Sequence, residues 1–167
     1  MSDIHMILTG GTIEKAYDPV SEKPEFTSKS IIPGYLHDTI KTHMDLSFET
    51  ICQIDSLQMT EEHRANILRS ITHANARHIV IVHGTSTMDV TASYLAQNLI
   101  DNNKTIILTG GLIPLKEFAM SDGGFNLGYA MAQAQAQPPG IYIAMHARCF
   151  PAGSVRKNIQ KARFEEV

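Results

Sequence analysis

The sequence predicts an α/β domain with three layers, in which a doubly wound, mainly parallel sheet lies between two layers of helices. Five short apolar segments rich in β-branched residues alternate with stretches of helical periodicity. Four of these segments are continuously apolar, which is typical of strands that helices cover on both faces. Crossover helices between successive strands favour a parallel sheet, and we expect the flavodoxin-like strand order 2-1-3-4-5.

Each predicted strand is a short run that contains β-branched residues, which favour an extended backbone. The runs lie at residues 4–8, 48–54, 78–82, 105–108 and 141–145. All of them are far shorter than the roughly 20 apolar residues that a membrane-spanning helix needs. We therefore expect no membrane association.

The first two helices are predicted between the first and third strands. One is expected over residues 31–44, where Leu36, Ile40 and Met44 recur every four residues and share one face. Thr60 is a candidate N-cap for the second helix, because its hydroxyl can accept a hydrogen bond from a free backbone N–H of the first turn.

Two further helices and a tail complete the predicted order. Thr87 or Asp89 is the candidate N-cap of the third helix. The fourth helix is expected to begin at residues 121–123 and to end before the Pro-Pro-Gly at 138–140. The basic segment from Arg156 onward is predicted to be helical.

The composition indicates one cytoplasmic domain over residues 1–167. This length, with 43% hydrophobic residues, is enough to bury a core. The formal net charge of −3 argues against a nucleic-acid partner, which usually requires a basic face. Cys52 and Cys149 have no disulfide-scaffold or zinc-ligand spacing, and no secretory signal precedes the first strand.

The carboxyl ends of the predicted strands carry the chemically distinctive residues. Ligands of open parallel sheets bind in the crevice at those ends. Leu-Thr-Gly-Gly occurs at residues 8–11 and again at 108–111, so we expect two similar glycine turns side by side over one crevice. The polar positions after the five strands are 9–12, 55–56, 83–87, 109–111 and the basic residues Arg148, Arg156 and Lys157.

Each of these loops also has an ordinary structural explanation, because glycine often follows a strand and threonine often caps a helix. Their coincidence at one edge favours a site for a small polar molecule. The turn at 9–12 lacks the GxxxxGK[ST] pattern of a P-loop, which disfavours a nucleotide. The eight histidines show no metal-ligand spacing, so we expect no metal or organic cofactor, and His83 is expected to be structural.

Four segments resemble, in order, the conserved blocks of the bacterial-type L-asparaginase family. They are Thr-Gly-Gly-Thr-Ile-Glu-Lys at 9–15, His-Gly-Thr-Ser-Thr-Met at 83–88, Leu-Thr-Gly-Gly at 108–111 with Ser-Asp-Gly-Gly-Phe-Asn-Leu at 121–127, and Val-Arg-Lys-Asn at 155–158. Most such enzymes have a second domain after this point. The chain is therefore similar to the short, single-domain branch of the family.

This resemblance implies an amidohydrolase that releases ammonia from L-asparagine or a related small amide without a cofactor. It implies that Thr12 is the nucleophile and that Tyr17 is a catalytic residue at the position of the lid tyrosine. Residues 18–30, rich in Pro, Ser, Lys and Glu, are expected to form this mobile lid. Thr85 and Lys157 match the second catalytic pair, with Lys157 as a proton relay. The implied substrate-binding residues are Gly11, Ser56, Gly84, Ser86 and Gly111.

Ser86 departs from the family pattern, which has an aspartate that binds the substrate's α-ammonium group. Losing such a charge-assisted contact typically costs about 1.5–3 kcal/mol. Three explanations stay open: another carboxylate replaces it, such as Glu14, Asp55 or one from a partner molecule; the substrate lacks an α-ammonium group; or the protein is a binding module without efficient turnover. A partner is relevant because the resemblance also implies a homo-oligomer, with a dimer favoured.

Overall fold

A six-stranded sheet forms the centre of the computed structural model, which describes residues 2–100, 103–116 and 119–167. The first five strands across the sheet are parallel, and the sixth is antiparallel to its neighbour. This arrangement confirms the predicted fold class and the order 2-1-3-4-5 of the five predicted strands. In order across the sheet the strands are β4 (Leu46–Ile54), β1 (Ile4–Gly10), β5 (His78–Val82), β6 (Thr105–Thr109), β7 (Gly140–Met145) and β8 (Arg148–Pro151).

Two hydrophobic cores lie on opposite faces of this sheet. Alternate side chains of a strand point to opposite faces, and β5 shows the consequence. Its Ile79 and Ile81 pack in the core that contains helices α2 (Glu61–His73) and α3 (Met88–Asn98). Its Val80 and Val82 pack in the core that contains helix α4 (Gly123–Ala136) and the helical turn α1 (Ile32–Gly34).

The first helical segment is shorter than predicted. After α1 the chain continues as a π-helical turn over Tyr35–Ile40 and ends at Lys41, which adopts a left-handed conformation with φ 54°. Leu36 is buried as expected, but Ile40 is exposed, and Met44 lies beyond the helical segment. The four-residue spacing therefore does not correspond to a continuous helix over 31–44. Within the described ranges, no helix combines the length and the apolarity needed to cross a membrane.

The capping prediction is confirmed for α2. Thr60 Oγ1 accepts a hydrogen bond from the His63 backbone N–H at 3.4 Å, while the Thr60 N–H donates to His63 Nδ1 at 3.1 Å. Thr87 precedes α3 but does not cap it with its side chain. Its hydroxyl instead donates to the Ser56 carbonyl oxygen at 2.8 Å, which ties the turn after β5 to the turn after β4.

Two antiparallel hairpins stand outside the central sheet. One pairs β2 (Lys15–Asp18) with β3 (Lys23–Phe26), and the other pairs β9 (Val155–Asn158) with β10 (Arg163–Glu166). The prediction of a helical tail from Arg156 is therefore wrong. Burial in this tail alternates as in a strand, because Val155 and Phe164 pack into the core beside α3 while their neighbours face outward.

Candidate functional site

A cavity of about 340 Å³ lies at the carboxyl ends of the parallel strands. Turns after β1, β4, β5 and β6 contribute most of its wall, and Lys157 enters from β9. Arg148 and Arg156, the other basic residues predicted at this edge, do not line it. The lining residues are Thr12, Asp55, Ser56, Leu57, Gln58, Gly84, Thr85, Ser86, Leu112 and Lys157.

Close backbone packing aligns three of these turns. Gly11 has φ 80°, which favours glycine, and a Cβ placed there would lie only 2.5 Å from the Gly84 Cα. A Cβ on Gly84 would in turn lie 2.7 Å from the Cβ and Oγ of Ser56. Glycine is therefore required where these turns meet, and Thr12, Thr85 and Ser56 share one wall as a result.

The sequence predicted that the two similar glycine turns lie side by side, and this prediction is wrong. The turns follow β1 and β6, and β5 lies between these strands. Gly11 packs against Gly84, and a Cβ on Gly111 would lie 3.2 Å from Gly123 and 3.3 Å from the Ile13 side chain. Both glycines thus stand behind the cavity wall, outside the residues that line it. Their contribution is the close packing of the turns.

Ser56 is fixed in orientation by the turn that follows β5. The Thr87 backbone N–H donates to Ser56 Oγ at 3.3 Å. Because Ser56 Oγ accepts this bond, its hydroxyl hydrogen stays available to donate to an anionic group in the cavity. Ser86, whose side chain is exposed, stands next to this junction.

Lys157 and Thr85 form a direct pair. Lys157 Nζ lies 2.6 Å from Thr85 Oγ1. Thr85 is buried, and desolvation of the half-buried lysine lowers the pKa of Lys157. A lysine with a lowered pKa releases its proton more readily, and an amine at this distance can accept a proton from a hydroxyl. The pair can therefore shuttle a proton at the cavity wall.

Thr12 lies one residue before Ile13 in a 3-10 turn, and Glu14 ends the same turn. The Thr12 side chain is half-buried and lines the cavity. Glu14 points the other way, into the protein, where its Oε2 accepts the Gly10 backbone N–H at 2.7 Å. Burial raises the pKa of Glu14 to about 7. Glu14 and Asp55 are the two residues of this chain named above as possible replacements for the carboxylate that Ser86 lacks. Asp55 lines the cavity, and Glu14 does not.

His83 packs and hydrogen-bonds inside the protein, and it orients the turn that carries Thr85. Its ring is fully buried, and its Nδ1 lies 2.7 Å from the Gly84 carbonyl, which can only accept. Nε2 is therefore unprotonated and accepts from Thr91 Oγ1 at 2.9 Å, which in turn accepts from Arg64 Nε at 3.1 Å. Burial lowers the pKa of His83 to about 4, so the ring is neutral.

The His83 contact also orients the neighbouring peptide group. In a trans peptide the N–H and the C=O point in opposite directions. Because the Gly84 carbonyl points at the buried His83 ring, the Thr85 N–H points away from it.

In the described part of the chain, no group of three or more His, Cys, Asp or Glu side chains is placed to bind a metal ion.

The lid prediction falls on the β2–β3 hairpin and the residues that follow it. Tyr17 lies on β2 with a side chain that is 46% exposed, and it does not line the cavity. Lys15, at the base of the hairpin, lies 3.1 Å from Asp55 Oδ2 and 4.9 Å above the Phe26 ring. The hairpin is therefore attached to the cavity wall through Asp55.

The structure brings most of the sequence-predicted site residues to one cavity. Thr12, Ser56, Gly84, Thr85, Ser86 and Lys157 line it, whereas Tyr17, Gly11 and Gly111 do not. Sequence reasoning missed Leu57, Gln58 and Leu112. These residues directly follow the turns at the ends of β4 and β6, so a wider window after each strand would have included them.

Known proteins share this fold and this arrangement of segments. Residues 3–164 match the family model described as "Asparaginase, N-terminal". Among curated proteins, L-asparaginase 1 of Escherichia coli (strain K12) is 35% identical over 150 residues, which is 81% of this chain and 41% of that protein. A glutaminase-asparaginase of Acinetobacter glutaminasificans is 26% identical over 95% of this chain and 50% of its own length. An L-asparaginase of Thermococcus kodakarensis is 31% identical over 81% of this chain and 42% of its own length.

Solved structures give the same grouping. The thermostable L-asparaginase from Thermococcus kodakarensis matches with a TM-score of 0.82 at 27% identity, covering 98% of this chain and 51% of that one. L-asparaginase I from Vibrio cholerae matches with a TM-score of 0.81 at 26% identity, covering 99% of this chain and 51% of that one. The chain thus spans about half the length, or less, of the relatives that it matches.

Proposed function

The chain belongs to the asparaginase family, and from that premise we propose that it is an amidohydrolase that releases ammonia from L-asparagine or a related small amide. The observation that carries this proposal is that Thr12, Thr85 and Lys157 line one cavity. Two hydroxyls and an amine at one wall are the groups that nucleophilic attack on an amide requires. Relatives described as L-asparaginases support the same reaction class.

In the proposed reaction Thr12 Oγ1 attacks the amide carbon of the substrate. The C–N bond then breaks, and the proton of the Thr12 hydroxyl leaves on the departing ammonia. Water hydrolyses the resulting ester, which releases the acid and restores the hydroxyl. The Thr85–Lys157 pair, 2.6 Å apart, relays a proton within each half of the cycle: from Thr12 to the departing ammonia in the first, and from water to Thr12 Oγ1 in the second.

Backbone and hydroxyl donors complete this arrangement. The oxyanion that forms during attack needs donors fixed in place beforehand. The Thr85 N–H has this property, because the contact between His83 and the Gly84 carbonyl holds the peptide. The Ser56 hydroxyl, oriented by Thr87, is the proposed donor to the substrate's carboxylate.

The test is ammonia release by the purified chain and by Thr12→Ala. Thr39→Ala is the matched control, because Thr39 is exposed on the π-helical turn and does not line the cavity. We expect Thr12→Ala to lose activity by on the order of a thousandfold or more with an unchanged circular dichroism spectrum. The control should retain full activity. Equal activity in Thr12→Ala and the wild type would overturn the nucleophile assignment.

A second candidate function is a binding module that holds an amino acid or amide without turnover. The observation that favours it is Ser86, which supplies no charge to the cavity. Calorimetry with L-aspartate distinguishes the two functions. Binding without ammonia release from any small amide would favour the module, whereas turnover that depends on Thr12 would exclude it.

A further inference from the structure

The cavity has two charged side chains among its lining residues in the described ranges, Asp55 and Lys157. Lys157 is committed to Thr85 Oγ1. The negative charge available to a ligand is therefore that of Asp55. An α-amino acid brings an ammonium group into such a cavity, and burying that cation without an anionic partner is costly. Among the lining residues, Asp55 is therefore the candidate partner for the ammonium group of a ligand.

Asp55 also lies in the part of the cavity wall that is formed by Ser56 and Ser86. It precedes Ser56, whose hydroxyl and carbonyl both bond to Thr87. Ser86 precedes Thr87, so Asp55 and Ser86 flank the same junction between the turns after β4 and β5. If Ser56 receives the substrate's α-carboxylate, the neighbouring Asp55 lies beside the α-substituents.

One oxygen of the Asp55 carboxylate is paired with a lysine, and the other is available to accept a hydrogen bond from a ligand. Its Oδ2 pairs with Lys15 Nζ at 3.1 Å, and the Lys15 side chain is only 17% exposed beside the Phe26 ring. The Asp55 side chain is 47% exposed, and its Oδ1 makes no hydrogen bond to the residues that the structure describes. Asp55 can therefore accept from an ammonium group without giving up Lys15.

We infer that Asp55 binds the α-ammonium group of the substrate and selects amino-acid amides over amides that lack this group. The inference rests on the proposed function, because it concerns the substrate of that reaction. Glu14 does not compete for this role, since its carboxylate is buried against the Gly10 N–H. Asp55 thereby supplies the charge that Ser86 lacks.

The test compares L-asparagine with succinamate, which has the same amide and carboxylate but no α-ammonium group. Asp55→Asn should lower kcat/KM for L-asparagine by about ten- to a hundredfold, as expected for loss of a charge-assisted bond. The same variant should change kcat/KM for succinamate less than threefold. Asp38→Asn, at an exposed aspartate on the π-helical turn, is the matched control and should change neither.

Two further variants separate charge from position. Lys15→Met leaves the Asp55 carboxylate but removes its cation, so it should keep or increase the preference for L-asparagine. Asp55→Asn with Ser86→Asp should restore that preference, because a carboxylate returns to the same junction. Equal losses for both substrates in Asp55→Asn, or no loss for L-asparagine, would overturn the inference.

Failure of the proposed function is recognised separately. If the wild type hydrolyses neither amide, calorimetry with L-aspartate and succinate tests Asp55 without turnover. Asp55→Asn should then weaken L-aspartate binding about tenfold or more and leave succinate binding unchanged. Loss of both, or of neither, would exclude Asp55 as the ammonium site.

Discussion

Lys157 Nζ and Thr85 Oγ1 lie 2.6 Å apart, so the β9–β10 hairpin delivers an amine to the turn after β5. Desolvation lowers the pKa of this lysine. A base acts in its deprotonated form, so a rate that depends on Lys157 rises as the pH rises through its pKa. That pKa lies below the ordinary lysine value of 10.5.

Replacing Lys157 by Met or by Arg should lower kcat by about 10²- to 10⁴-fold, the range for loss of general acid–base catalysis. Arginine keeps the charge but does not deprotonate, so it should not rescue the activity. Lys161→Met, in the exposed turn of the same hairpin, is the control. Steady-state kinetics between pH 6 and 10 measure the effect. An active Lys157→Arg enzyme with an unchanged pH profile would rule out the relay.

Glu14→Gln should stabilise the protein at alkaline pH. The pKa of Glu14 is raised by burial to about 7 from 4.5. Its contribution to the free energy of unfolding is therefore fully present below pH 4.5 and is lost as the pH rises through 7. The loss is about 3 kcal/mol, since each pKa unit corresponds to about 1.4 kcal/mol.

The variant lacks this ionisation, so its free energy of unfolding should gain on the wild type between pH 4.5 and 8. Urea denaturation at pH 4, 6 and 8 measures the difference. Glu22→Gln, at an exposed position in the β2–β3 turn, serves for comparison and should show no such trend. A difference that stays constant with pH would show that Glu14 ionises normally in the folded protein.

His83→Gln should lower the loss of stability that the protein undergoes at acid pH. The pKa of His83 is lowered by burial to about 4 from 6.5. The stability that it contributes is present above pH 6.5 and is lost as the pH falls through 4, by about 3 kcal/mol. The wild type should therefore lose more stability than the variant between pH 7 and 4.

Urea denaturation over this range, with His43→Gln as an exposed control, measures the effect. The two buried groups act in opposite directions, since acid removes the contribution of His83 while it restores that of Glu14. Nitrogen-15 NMR of the imidazole gives a second measurement and should find the proton on Nδ1 at pH 7. A ring that titrates near 6.5 would contradict the buried, neutral assignment.

Four of the five parallel strands were predictable because helices cover both of their faces, which leaves a continuous apolar sequence. The antiparallel strand β8 was not. It follows a tight turn at His146 and Ala147, which have φ values of 53° and 62°. Turns with two positive φ values usually contain Asn or Gly. Histidine and alanine give no such signal, so β7 appeared to end the sheet.

The terminal hairpin was missed for a related reason. The basic residues Arg156 and Lys157 dominated the interpretation of the tail, while the burial of Val155 and Phe164 depends on the core that contains α2 and α3, which lie far away in the sequence. Tertiary packing therefore decided between strand and helix.

The homodimer and the cytoplasmic location stay predictions.

The site was predictable as far as the strand-end rule and the family blocks reach. Thr12, Thr85 and Ser56 follow strands directly, and the structure places them at one wall. The pair between Lys15 and Asp55 was not predictable, because it joins a hairpin to a distant turn. Glu14 illustrates the reverse case, since its proximity to Thr12 in the sequence does not bring its carboxylate into the cavity.

The contribution of β9 to the cavity has a consequence for biosynthesis. A nascent chain that has emerged only through α4 already contains Thr12, Ser56 and Thr85, yet it lacks the amine opposite them. Val155 and Phe164 anchor the hairpin in the core, and the same hairpin places Lys157 beside Thr85. On the proposed mechanism, reactivity therefore requires this hairpin, and cleavage of the chain between α4 and β9 would abolish it.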